Sequence, residues 1–293
     1  YLNPNIRQAL NNRELLDTAE EIRIRQNKPI VIRKDCENFF MKNGEVCRMK
    51  DAFKPHKDEI QDTLSRMCEY SPYAYSDEIR RGFITIEGGF RVGIAGTAVE
   101  CKDGISTIKY INSLNIRISR ELTGCADKVM KYVYGNTLII SPPGCGKTTI
   151  LRDIIRQISN QGINISVVDE RCEISGMYLG NIQFDLGICT DVLCCYSKSI
   201  GMNMMLRSMG PKIIAVDEIG SDEDILAIHN LLNSGVKIIA TIHCDTIENI
   251  LQKPFIENIV KEKIFDSYII LNNNKKTGDL YKIYDKELNI VWQ

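Results

Sequence analysis

The stretch SPPGCGKTT, residues 141–149, constrains this chain more than any other. It stands between a β-branched run, TLII (137–140), and a segment with helical spacing, KTTILRDIIRQIS (147–159). A strand that feeds a glycine-rich turn and then a helix gathers backbone N–H groups around one point. The helix dipole adds partial positive charge there, so this order of elements predicts a phosphate-holding loop. Ser141, Pro142, Pro143, Gly144, Cys145 and Gly146 form the loop, and the two glycines allow close backbone approach. Lys147 is placed to reach the β- and γ-phosphates of ATP, the Thr148 hydroxyl to ligate Mg²⁺, and Thr149 to contact the α-phosphate. The pattern G-x-x-x-x-G-K-[ST] is met except at its first position, Ser141. Serine is compatible there if the backbone keeps φ below zero.

The surrounding texture agrees with an α/β unit. Runs reading as strands, TLII, ISVV (165–168), KIIAV (212–216) and VKIIATI (236–242), alternate with helical segments. Those segments are KTTILRDIIRQIS, KSIGMNMMLRSM and DEDILAIHNLL, and the alternation predicts a mainly parallel sheet with helices on both faces. The four methionines of GMNMMLRSMG have a spacing that favours core packing. At the end, SYIIL and LYKIY flank a polar turn, NNNKKTGD, and predict an antiparallel pair at the sheet edge.

Before residue 120 the pattern is α+β. RELLDTAEEIRIRQNKP carries helical spacing at Leu15, Leu16, Ala19 and Ile22, and PHKDEIQDTLSRMCEYS does so at Ile60, Leu64 and Met67. The period then changes to two, with hairpin signals at Gly88-Gly89 and Asp103-Gly104. The expected division is a smaller N-terminal domain, residues 1–120, and a nucleotide domain, residues 121–293, with the boundary near SLNIRISRELTG.

Two acidic strand ends compete to serve the metal: Asp169-Glu170 and Asp217-Glu218. The strand directly after the loop helix commonly lies beside the phosphates, whereas a later strand lies nearer the loop strand. Asp217 is therefore expected in the Mg²⁺ shell through water, and Glu218 is expected to polarise the attacking water. Asp169-Glu170-Arg171 becomes a second acidic element, or a strand-end cap pairing its own Arg171. His243 ends the next strand and reads as a γ-phosphate sensor or as a structural histidine.

With a net charge of −1 and no basic tract interleaved with aromatics, nucleic acid is not an expected partner. No apolar run approaches the ~20 residues that span a bilayer, and a cytoplasmic setting is expected. Eleven cysteines are present, but no Cys-x-x-Cys pair and only three histidines, so spacing predicts no metal centre. Cys194 and Cys195 are adjacent, which suits no structural bridge, and the thiols are expected to be reduced and packed as small apolar groups.

The segments VVDERCEISG, TDVLCCYSKSIGMNMMLRSMGPKIIAVDEIG and ATIHC resemble the stage III sporulation protein AA family, relatives of the type II and type IV secretion ATPases. AEEIRIRQNKPIVI, RRGFITIEGGFRVGIAGT and INSLNIRISRE extend the resemblance over nearly the whole chain. It implies a RecA-like P-loop ATPase core behind an N-terminal domain, assembled as a hexameric ring. It also implies work on the cytoplasmic, mother-cell side of a membrane, with membrane proteins of a secretion-like sporulation channel as partners. By motif, Asp169 and Glu170 fall on the secretion ATPases' aspartate box, His243 on their histidine box, and Arg207 on an arginine upstream of the Walker B strand. Two positions depart from the pattern: Ser141, and Cys189, which stands where the family is expected to carry arginine. That cysteine either removes a cation from a neighbour's site or only packs its loop. Arg80, Arg81, Arg117 and Arg120 are other candidate donors to a neighbour. Alternatives to a motor are a nucleotide-gated scaffold with little turnover, a RecA-like nucleic-acid motor and a small-molecule kinase.

Overall fold

The computed structural model describes residues 1–35, 37–101, 104–251, 254–272 and 280–293, with backbone alone for 254–256. The chain forms two compact units, Tyr1–Ser119 with Tyr178–Asn181, and Arg120–Met177 with Ile182–Gln293.

The first unit holds α1 (Pro4–Ala9), α2 (Arg13–Leu16), β1 (Glu21–Arg25), β2 (Val31–Lys34), β3 (Glu37–Lys42), β4 (Glu45–Cys47) and α3 (Lys57–Met67). After these come α4 (Ser76–Arg80), β5 (Phe83–Ile86), β6 (Phe90–Cys101) and β7 (Gly104–Arg117). The sheet order is β4-β3-β2-β1-β7-β6-β5, antiparallel throughout. The helix expected across residues 13–28 is a correction: only Arg13–Leu16 is helical, and Glu21–Arg25 is a strand between β2 and β7. Ile22 and Ile24 satisfy a period of two as well as they begin a helical stripe, and pairing on both edges decides for the strand. Helix α3 is as expected, burying Ile60 and Met67. Gly88 and Gly89, both at positive φ, turn the chain from β5 into β6. Asp103 of the second hairpin lies outside the described residues, though β6 and β7 pair on either side of it.

The second unit contains β8 (Thr137–Ser141), α5 (Lys147–Ser159), β9 (Ile165–Asp169), β10 (Thr190–Cys194), α6 (Lys198–Met209) and β11 (Ile213–Val216). It continues with α7 (Asp222–Asn233), β12 (Lys237–His243), α8 (Ile247–Leu251), α9 (Pro254–Lys261), β13 (Ser267–Leu271), β14 (Leu280–Asp285) and β15 (Ile290–Trp292). The sheet is mixed, in the order β10-β9-β11-β12-β8-β13-β14-β15. Pairing is parallel from β10 to β13 and antiparallel from β13 to β15. The polar turn before β14 falls mainly on residues 273–279, outside the described ones.

Period-two alternation sorts the central strands onto two cores. Leu138, Ile140, Val168, Ile214, Val216, Ile238 and Ala240 join Met202 and Met205 of α6 and Ile228 and Leu231 of α7. Ile139, Val167, Ala215 and Ile239 face the other way, onto Ile150, Leu151, Ile154, Ile155 and Ile158 of α5. Strands covered on both faces have no polar side to show, which is why they read as continuous apolar runs. Of the four α6 methionines, Met202 and Met205 are core and Met204 and Met209 are exposed. Gly201 lets α6 lie close to β9, since a Cβ there would stand 2.6 Å from Val168 Cγ1 and 3.1 Å from Leu193 Cδ2. Gly201→Ala is expected to lower stability by about 1–3 kcal/mol through overpacking, measured by denaturant unfolding.

Candidate nucleotide-binding site

Parallel register brings the chemistry to one rim. Ser141 pairs with His243 across β8 and β12, and Val216 pairs with Ala240 across β12 and β11. The loop after β8, His243, and the Asp217-Glu218 step after β11 therefore leave the sheet on the same side. One strand, β12, separates β8 from β11, while β9 lies a further strand away. Ser141 is a buried strand residue outside the left-handed backbone region, and its hydroxyl donates to the Pro142 carbonyl (3.0 Å). The turn instead needs left-handed backbone at Gly144 (φ 79°) and at Gly146 (φ 86°), which caps α5.

Lys147 and Thr148 open α5 inside this rim. Lys147 Nζ lies 2.8 Å from His243 Nε2. An ammonium can only donate, so in this contact the ring nitrogen is the acceptor. Thr148 Oγ1 donates to Asp217 Oδ2 (3.1 Å), and Thr241 Oγ1 donates to Asp217 Oδ1 (2.5 Å). Thr241 also accepts from the Glu218 N–H (2.9 Å). Glu218 sits at φ 45°, an uncommon conformation for a side-chain-bearing residue and one that clusters at functional sites. Its carboxylate pairs with Arg171 Nη1 (3.1 Å) and stands 3.6 Å from His243 Nε2.

The second acidic element divides its labour. Asp169 is buried and accepts from the N–H groups of Glu173, Ile174 and Ser175 and from the Ser175 hydroxyl. Burial pushes its carboxyl above the ordinary range, and those four donors oppose the shift. Its structural work is to fold the loop after β9. Glu170 pairs with Lys198 (2.8 Å), and Arg171 reaches Glu218 instead of capping its own strand end. Beneath the loop, the buried Arg152 of α5 donates to the carbonyls of Ile174 (2.8 Å), Glu173 (2.8 Å) and Arg120 (3.1 Å). Its guanidinium also stacks 3.9 Å over the Phe184 ring. Burial lowers its pKa, and the charges of Glu121, Asp169 and Asp217 pull it back up.

Arg207 is exposed near the C-terminal end of α6, whereas Lys198 at the opposite end meets Glu170; this chain does not bring Arg207 to the loop. Cys189 donates its N–H to Ser159 Oγ (2.7 Å) at the far end of α5, and its carbonyl accepts from Ile165 at the start of β9. Thr149 lies on the first turn of α5, and Pro142, Pro143 and Cys145 lie between β8 and that helix. Sequence reasoning missed Thr241, Arg152 and Lys198. Thr241 carries a usable signal, lying two residues before His243 and so on the same strand face.

The cysteines also require a correction. They are not all reduced and merely packed: Cys172 and Cys194 are joined as a disulfide, and the Cys195 sulfur lies within 4.8 Å of both. Spacing rules overlook the group because a loop and a strand separate its members.

The family model for sporulation stage III, protein AA, matches residues 1–291. The chain belongs to this family. A relative, stage III sporulation protein AA of Bacillus subtilis, is 36% identical over 282 residues, covering 93% of this chain and 88% of the relative. Among solved structures, the Legionella pneumophila ATPase DotB superposes with a TM-score of 0.58 at 13% identity, over 92% of this chain and 79% of DotB. The pilus retraction motor PilT with bound ADP gives 0.56 at 16% identity, over 88% and 76%. These likenesses establish an α/β ATPase fold for this family member.

Proposed function

We propose that this protein binds ATP with Mg²⁺ at the rim formed by β8, β11 and β12 and hydrolyses it as a RecA-like motor. The observation that carries the reading is the Thr148–Asp217 contact (3.1 Å) directly beside Lys147. A hydroxyl and a carboxylate are hard oxygen donors of the kind Mg²⁺ takes, and they sit at the mouth of a left-handed glycine cradle. Thr148 and Asp217 would hold the ion, which would supply positive charge against the charge that develops on the phosphate.

The chain's own residues do the remainder. Gly144, Cys145 and Gly146 offer N–H groups, while Pro142 and Pro143, which have none, lead the chain into the turn. Thr149 follows on the first turn of α5, and Lys147 exchanges His243 for phosphate. Asp217 is kept in place by Thr241, and Glu218 orients water once Arg171 releases it. His243, which would lose Lys147 in that exchange, would sense it, and Glu170 lines the same pocket as Asp217 and Glu218. Membership of the sporulation family, together with the PilT-like fold, supports a motor assembled as a hexameric homo-oligomer. Its partners would be membrane proteins of a secretion-like sporulation channel, met from the cytoplasmic side. No helix among the described residues is long and apolar enough to cross a membrane. A head-to-tail ring also offers Arg207, or Arg80, Arg81, Arg117 and Arg120, to a neighbour's site.

Glu218→Gln tests the reading. The variant is expected to retain ATP binding while phosphate release falls by about 10²–10³-fold. Wild-type turnover per chain should climb with protein concentration as rings form. Unaltered release by the variant removes Glu218 from its role, and absence of turnover at every concentration favours a nucleotide-gated scaffold.

A further inference from the structure

Cys172 lies on the loop leaving β9, and Cys194 ends β10 opposite Asp169. Neighbouring residues on a strand point to opposite faces, so Cys194 and Cys195 would ordinarily aim their sulfurs apart. Cys195 escapes that rule. It leaves the strand at φ 60°, with its N–H donating to the Asp169 carbonyl (3.1 Å), and its side chain returns toward Cys172. Cys172 is itself left-handed at φ 54°. Cys172 Sγ consequently stands 3.0 Å from Cys195 Sγ while in disulfide contact with Cys194 Sγ. A disulfide employs two of these sulfurs and gives no reason for the third. A cation with a preference for thiolates employs all of them.

We propose that the reduced chain binds a Zn²⁺-class cation through Cys172, Cys194 and Cys195. Zn–S bonds of about 2.3 Å set tetrahedral sulfurs about 3.8 Å apart, so on reduction the Cys172 sulfur must draw back from its two neighbours, within a group whose sulfurs all lie inside 4.8 Å. Loading replaces three thiol protons with one Zn²⁺, leaving the centre with a single negative charge. Cys172 is buried, whereas Cys194 and Cys195 are half-buried, so the fourth ligand is water on their open side. Ser175 Oγ is 4.0 Å from Cys194 Sγ but is committed to Asp169. The cation would clamp the loop of Glu170 and Arg171 to the end of β10. It uses none of the side chains assigned to the nucleotide and does not depend on ATP binding.

The test uses the full chain, reduced with a phosphine, desalted and titrated with Co²⁺. Expected are thiolate-to-cobalt absorption in the near ultraviolet and tetrahedral d–d bands in the red, saturating at about one equivalent and erased by Zn²⁺. Cys172→Ser, Cys194→Ser and Cys195→Ser should each weaken binding at least about tenfold, and Cys101→Ser, at an exposed cysteine, should not. Cys195→Ser is the discriminating variant, because a Cys172–Cys194 disulfide has no need of that thiol. Should the serine variants fail to fold, Zn²⁺ must still shield three thiols of the wild-type chain from an aromatic disulfide reagent. A reduced chain without cobalt–thiolate absorption, Cys195→Ser binding like wild type, or thiols that Zn²⁺ leaves unshielded would each overturn the proposal.

Discussion

Lys147→Ala is expected to abolish productive nucleotide use, with phosphate release down by about 10²–10³-fold or more. Affinity for a fluorescent ATP analogue should also fall by about ten- to a hundredfold, the worth of a charge-assisted bond to phosphate. The lysine is buried at the head of α5, and its Nζ lies 2.8 Å from His243. On the proposed reading, its removal takes the lysine's charge from the place where triphosphate charge would be greatest. Stability should change little, since the hydrophobic clusters among the described residues do not include it. A variant that bound and hydrolysed ATP like wild type would exclude this lysine, and the cradle with it, from the proposed reaction.

Arg152→Ala should cause the largest loss of stability. Three backbone carbonyls accept from one buried guanidinium, two of them in the loop that Asp169 organises. Leaving buried acceptors unsatisfied costs about 1–3 kcal/mol each, so a total of about 3 kcal/mol or more is expected. For a unit of this size, that corresponds to a fall in thermal midpoint of roughly 6–12 °C. Arg152→Lys should recover only part, because an ammonium cannot reproduce the planar fork stacked on Phe184. A shift below about 2 °C in the alanine variant would mean that water substitutes freely for the guanidinium.

Much of the nucleotide unit was legible because its signals agree across levels. Helices α5 and α6 begin and end where their spacing placed them, and the apolar runs became strands sealed on both faces. The N-terminal unit was harder to read. Residues 13–25 satisfy two periods at once, and only pairing with β2 and β7 selects the strand. Strand β10 was missed since TDVLC carries no alternation and owes its conformation to β9. At the site, Lys147, Thr148, Asp217, Glu218 and His243 were nominated by residue type and order and lie together. Thr241 and Lys198 are not nominated, because their partners come from elsewhere in the chain. Arg207 shows the reverse: a motif position supplies no geometry, and the far end of α6 is not near the loop.

The neighbours of β8 have a consequence for biogenesis. Its partners are β12 and β13, both translated long after the segment they flank. Contacts so distant in sequence must overcome the entropy of closing a long loop, and they slow folding. The loop after β8 can be written early by the ribosome yet cannot be seated until β12 and β13 have followed it. A product terminated before Ser267 would present one side of β8 as an open edge, an invitation to pair with another unfinished chain.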